Sequence, residues 1–261
     1  GYSDGPFGQI HWRTTQQDEV GGAAPDLYCL HPAPFSGIAF SNIAPYLGAG
    51  RRVIMPDYPG YGGSDQHTEK PSIDDYASAM MAVIDDLSGD RQVDLVGFHT
   101  GCLVAAELCR AAPSRIRKAC LIDVPAFPEE VRAGLAAKNG APLVLTEELD
   151  CLAGPWESGV KKRLATQPME QAFAMFVEQI RPGPRMNAAF YAAFTYPWET
   201  RFPEAASEIL VLASKSGLLE GSRKAASILP NARLVERLDI ARSVLDEAAE
   251  KTAGEIRKFI G

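Results

Sequence analysis

The most constraining feature of this chain is a connection with no spare residues. Val93-Asp94-Leu95-Val96 has strand character, Leu103 to Ala112 has helical character, and between them runs Gly97-Phe98-His99-Thr100-Gly101. A strand that turns into a helix over so few residues brings the two backbones close together. Only the smallest side chains tolerate that crowding, which gives the glycines at both ends of the pentapeptide a steric reason. His99 stands at the centre of the turn.

The flanking sequence repeats the same alternation. Phe7–Arg13 reads as a first strand, Leu27–Leu30 as a short buried one, Arg52–Met55 as the next, followed by Lys118–Val124, Ile209–Ala213 and Ala232–Arg237. Helical patterns lie between them: about Gly37–Leu47, a helix from Ser72 with an N-cap serine and acids in its first turn, 221–229, and a closing amphipathic helix over Ser243–Ile260. Strands alternating with helices predict an α/β domain with a mostly parallel central sheet flanked by helices. From 125 to 206 the pattern changes to one rich in Pro, Trp, Phe and Tyr, with helical candidates at 129–138, 157–166, 169–180 and 185–194 and no clear strand. This stretch is predicted to be a helical insertion.

Strand, G-x-x-x-G and helix is the context of a nucleophile elbow. Two further segments agree with it. Leu30-His31-Pro32-Ala33-Pro34 stands where an oxyanion loop follows its strand, and Asp57-Tyr58-Pro59-Gly60-Tyr61-Gly62-Gly63-Ser64-Asp65 matches D-x-P-G-x-G-x-S-D. In this ordered set the chain resembles the α/β-hydrolase superfamily over nearly its whole length. The resemblance implies an α/β-hydrolase core formed by 1–124 and 207–261, with 125–206 as a helical cap. It also implies a small-molecule pocket at the elbow.

The chain departs from that family where the chemistry resides. The elbow reads G-x-H-x-G rather than G-x-S-x-G. The loop after Ile209–Ala213 is Ser214-Lys215-Ser216-Gly217, without a carboxylate, and Gly217 takes the place of the family's acid. Arg242 falls at the place of the family's histidine, and no histidine follows His99. The chain order Ser, Asp, His is therefore impossible here.

His99 is the leading candidate for catalysis, as general base or nucleophile, with a pocket-lining role as the alternative. Its expected position at a helix N-terminus, under an aromatic cover and near Arg242, predicts a neutral imidazole with a lowered pKa. Asp123, at the end of a strand, either orients His99 or bonds loop amides. By resemblance, the Thr100 N–H feeds an oxyanion hole whose other side depends on Ala33, Phe35 or Ser36, since Pro32 and Pro34 have no N–H. Phe98, Thr100, Ala33, Phe35, Ser36 and Arg242 are the candidate binding residues. Cys102, in the first turn of the helix, is either a thiolate candidate or a buried small residue. His31, His11 and His67 read as structural or solvated.

Composition narrows the partners. A net charge of −7 argues against nucleic acid or an anionic membrane. No apolar run reaches the roughly 18 residues a membrane span needs. The five cysteines form no C-x-x-C and no cluster with the four histidines, so neither a metal site nor a cofactor is implied. Without a secretory pattern, reduced thiols and a cytoplasmic setting are expected. Two functions stay open: an enzyme acting on a small, partly apolar ester, thioester or ketone, and a non-catalytic binder of such a ligand on the same scaffold.

Overall fold

The computed structural model describes residues 1–15, 24–66, 70–241 and 243–261. Eight strands form one sheet: β1 (Tyr2–Gly5), β2 (Gly8–Thr14), β3 (Leu27–Leu30), β4 (Val53–Pro56), β5 (Val93–Phe98), β6 (Ile116–Ile122), β7 (Glu208–Ser214) and β8 (Ala232–Arg237). Their order is β1-β2-β4-β3-β5-β6-β7-β8. β2 pairs antiparallel with β1 and β4, and all other neighbours are parallel. The mostly parallel sheet predicted from the alternation is therefore present.

The helices of eight residues or more are α1 (Ile73–Ser88), α2 (Thr100–Ala111), α3 (Glu129–Asn139), α4 (Met169–Ile180), α5 (Ala188–Thr195), α6 (Leu219–Ile228) and α7 (Ala249–Ile260). The start of α1 follows directly from its sequence. The Ser72 hydroxyl accepts from the Asp75 N–H at 3.1 Å and the Asp75 carboxylate accepts from the Ser72 N–H at 2.8 Å, which is a reciprocal capping box.

Strand periodicity sorts the core into two layers. Tyr28 and Leu30 of β3 face the layer that includes Met80 and Val83 of α1 and Leu103 and Leu108 of α2. Leu27 and Cys29 face the layer closed by Ala253, Ile256 and Ile260 of α7. The segment between β6 and β7 contains α3, α4 and α5 and, among the described residues, no strand. Ala189, Ala192 and Ala193 of α5 join the first core layer, whereas Val160, Ala172 and Phe176 form a small cluster of their own.

Several boundaries differ from the sequence reading. β1, a short polar edge strand, is additional to the predicted first strand. The helix expected over Gly37–Leu47 is a 3₁₀ turn, Gly37–Phe40, followed by a single helical turn, Ala44–Leu47, because Pro45 lacks the amide that would join them. The helix expected over 157–166 is instead one helical turn, Ala153–Trp156, running into a wide π turn at Glu157–Lys161. The closing helix begins at Ala249 rather than Ser243. Ser243 has φ 51°, its hydroxyl donates to Thr166 Oγ1 at 2.7 Å, and Asp246 accepts from Asn42, so this stretch is tied to other parts of the molecule and does not wind. No helix among the described residues is long and apolar enough to cross a membrane, and no cluster of metal-ligating side chains occurs among them.

Candidate active site

β5 ends at Phe98 and α2 begins at Thr100, so His99 alone makes the turn, with φ 51° and ψ −115°. That conformation costs a non-glycine residue roughly 1–3 kcal/mol. Two close contacts impose it. A Cβ on Gly97 would lie 2.4 Å from the Gly101 carbonyl oxygen, and one on Gly101 would lie 1.9 Å from that of Leu30. The crossing is anchored by the His99 N–H donating to the Ile122 carbonyl at 3.1 Å and by the Cys102 N–H donating to the His99 carbonyl at 2.8 Å.

His99 and Phe98 line a cavity of about 330 Å³ at the carboxyl ends of the parallel strands. Their rings lie 3.9 Å apart at 34°. The loop after β3 contributes Ala33 and Phe35, the ends of β6 and β7 contribute Asp123 and Ser214, and the chain after β8 contributes Ser243 and Asp246. Arg163, Thr166 and Met175 line it from the helical segment. Three non-glycine residues among those described have a positive φ, namely His99, Asp123 and Ser243, and all three line this one cavity.

Asp123 is buried, and both its oxygens are engaged. Oδ1 accepts from the Ser214 N–H at 2.8 Å and Oδ2 from the Ser214 hydroxyl at 2.6 Å. Among the described residues no hydrogen bond joins Asp123 to His99, and the carboxylate is held instead by the last residue of β7. The carboxylate still acts on His99 across space. Burial pushes the imidazole pKa down, Asp123 opposes that shift, and the Arg163 guanidinium adds to it. The lowered direction is the one expected, but Arg163 supplies the cation. Arg242 lies outside the described residues.

The loop after β3 turns through a cis Ala33-Pro34 peptide. The Phe35 N–H donates to the Pro32 carbonyl at 3.1 Å and so has no donor left for a ligand. The Ser36 side chain is buried, and its hydroxyl donates to Glu178 of α4 at 2.6 Å. Ser36 therefore faces α4 and not the cavity, and the Thr100 side chain is buried in the first turn of α2. Among the described residues, the N–H groups of Ala33 and Thr100 donate to no protein acceptor.

The remaining candidates have structural partners. His31 is fully buried. Its Nε2 accepts from the Tyr58 N–H at 3.0 Å, so Nδ1 carries the proton and donates to the Pro32 carbonyl at 3.0 Å. Burial lowers its pKa to about 4 against the opposing pull of Asp57. His11 Nδ1 lies 2.8 Å from Asp57 Oδ2, and His67 lies outside the described residues. Cys102 is not a thiolate. Its Sγ–H donates to the carbonyls of Gly97 at 3.3 Å and Ile122 at 3.1 Å, and burial with Asp123 nearby raises its pKa well above the ordinary thiol value. At this position burial outweighs the helix N-terminus.

Arg163, Ser214, Ser243 and Asp246 belong to the cavity without having been singled out in the sequence. Ser214 had a signal, since it ends the strand after which the family places its acid. Arg163 had none, because only the tertiary packing of 157–166 turns it toward the elbow.

Comparison with known proteins agrees with this geometry. A family model for the alpha/beta hydrolase fold matches residues 25–143. A hydrolase from Pseudomonas aeruginosa superimposes with a TM-score of 0.81 over 100% of this chain and 98% of that one, at 18% identity. The chain has the α/β-hydrolase fold, and its residues 25–143 match that family's model. The enol-lactonase of Burkholderia xenovorans shares the fold at a TM-score of 0.77, with 18% identity over 100% of this chain and 99% of that one. Among proteins of related sequence, the pimeloyl-[acyl-carrier protein] methyl ester esterase of Aeromonas hydrophila is 30% identical over 179 residues, 64% of this chain and 66% of that protein. Its counterpart in Aromatoleum aromaticum is 33% identical over 123 residues, 44% of this chain and 46% of that protein. In both cases the match covers less than two thirds of the relative.

Proposed function

We propose that this α/β hydrolase lacks the Ser-Asp-His triad and hydrolyses a small, partly apolar ester in the cavity beneath a cap formed by 125–206, with His99 as its reactive group. The observation that carries this reading is the coincidence of strain and cavity. Three costly non-glycine conformations converge on one pocket, and the central one presents an imidazole that makes no hydrogen bond among the described residues. Strain of this kind persists where the surroundings over-determine it, most often at functional sites.

The chemistry follows from a neutral ring. His99 takes a proton from water as the water oxygen attacks the ester carbonyl. The N–H groups of Ala33 and Thr100, which donate to no protein acceptor among the described residues, receive the developing oxyanion in this reading. The imidazolium then returns its proton to the departing alkoxide, which leaves an acid and an alcohol. The chain's similarity to methyl ester esterases supports the ester as substrate class.

A second reading, a binder without turnover, is favoured by one observation. Ser214 holds Asp123, so the imidazole has no carboxylate acceptor to orient it. Turnover of short-chain p-nitrophenyl esters separates the two readings. The native chain is expected to hydrolyse them, and His99→Gln to lose at least about 100-fold. Because the folded pKa of His99 is lowered, activity is to persist as pH falls through about 6.5 and to decline only below it. A fluorophosphonate probe is to leave the protein unlabelled. Turnover that survives in His99→Gln overturns the enzymatic role of His99, and a native chain without turnover establishes the binder.

A further inference from the structure

Among the described residues, Arg163 has no carboxylate within ion-pair distance. It is half-buried in the cavity wall, with its guanidinium carbon 5.0 Å from the centre of the Phe35 ring. Among the described residues it forms no ion pair, and its Nε–H is buried with no acceptor. The other side chains of its kind are placed differently: Arg51 and Arg117 meet Asp94 at 2.8 and 2.5 Å, and Arg132 meets Glu199 at 2.9 Å. Asp246 acts on Arg163 only across space. The Asp246 carboxylate is occupied by amides, accepting from Asn42 at 2.9 Å and from Gln167.

Removing a guanidinium from water without a partner is costly, and arginine cannot escape by losing its proton. Stacking on Phe35 covers one face of the plane and leaves the N–H edge as the recognition element. We infer that Arg163 is the anion subsite of this cavity and that the ligand carries a carboxylate on a small apolar body. This rests on the reading that the His99 cavity is the functional site. It deepens that reading by specifying an acid group at the end of the substrate remote from the reacting carbonyl.

A carboxylate fits better than a phosphate for two reasons. The planar fork of arginine pairs with a planar carboxylate through parallel hydrogen bonds. In addition, Asp123 and Asp246 line the same cavity and repel a dianion more than a monoanion. Phe35, Phe98 and Met175 supply an apolar wall for the rest of the molecule.

Titration calorimetry on the full chain tests the subsite with 3-phenylpropanoate and its neutral analogue 3-phenylpropanamide. The carboxylate is expected to bind at least about tenfold more tightly than the amide. Arg163→Gln is to bring the two within about twofold, Arg163→Lys is to keep part of the preference, and Lys162→Gln, at a second cation lining the cavity, is to keep most of it. If the glutamine variant does not fold, Arg163→Met retains the apolar cover on Phe35 and serves in its place. His99→Gln is to retain the preference whatever it does to turnover, so the subsite and the reactive group fail independently. Equal binding of the two probes by the native chain, or no binding of either at millimolar concentration, overturns the proposal. So does a preference that survives loss of the Arg163 charge, or inorganic phosphate binding as tightly as 3-phenylpropanoate.

Discussion

The sheet and the helical segment between β6 and β7 handle burial in opposite ways. In the sheet, Leu27, Tyr28, Cys29 and Leu30 are all 0% exposed. In the helical segment Val144, Leu145 and Leu149 remain 74%, 59% and 81% exposed. The difference separates two tasks. Strained groups such as His99 and Asp123 need surroundings too well packed to relax, and they sit at strand ends. Arg163 needs only to face the ligand, and it comes from the part of the molecule where side chains have more freedom to vary.

The largest effect that this contrast predicts is at Gly101. The Leu30 carbonyl leaves no room for a Cβ there, and the obstacle is backbone, which moves only with β3. Gly101→Ala is expected to cost more than about 3 kcal/mol and to yield little folded protein, read by urea denaturation. A variant as stable as the parent breaks the claim that the elbow is the rigid region.

The next effect concerns His31. It is neutral in the folded state with its pKa near 4, and protonates near 6.5 once unfolded. As pH falls between those values the unfolded chain gains a proton that the folded chain does not, so His31 lowers stability with falling pH by up to about 3 kcal/mol, and His99 acts in the same direction. Urea midpoints measured from about pH 7 down to about pH 4.5, with the His31 ring signals followed by NMR, check both the slope and its source. A ring that titrates near 6.5 breaks the prediction. The smallest effect belongs to the helical segment: Leu149→Ser is expected to shift stability by no more than about 0.5 kcal/mol. A larger loss means that this surface is covered by something.

How much could be read in advance follows the same division. Met169–Ile180 and Ala232–Arg237 coincide with the residues predicted, because their periodicity and termini are written locally. The elbow was legible because sterics at two glycines dictate it. The partner of Asp123 was not legible, since Ser214 reaches it only through the pairing of β6 with β7. Arg163 was not legible either: its setting depends on how a segment with little local signal folds over the pocket.

That pairing also has a consequence for how the chain assembles. The backbone leaves the sheet at Ile122 and re-enters it at Glu208, yet the two strands run side by side, with Lys118 opposite Glu208. The entropy of closing such a loop grows only with the logarithm of its length. Halving the intervening stretch would relieve about 0.6 kcal/mol and doubling it would cost about the same. The sheet is thus nearly indifferent to what is strung between these strands. The segment between them can lengthen, shorten or be exchanged through evolution without the strands having to be redesigned.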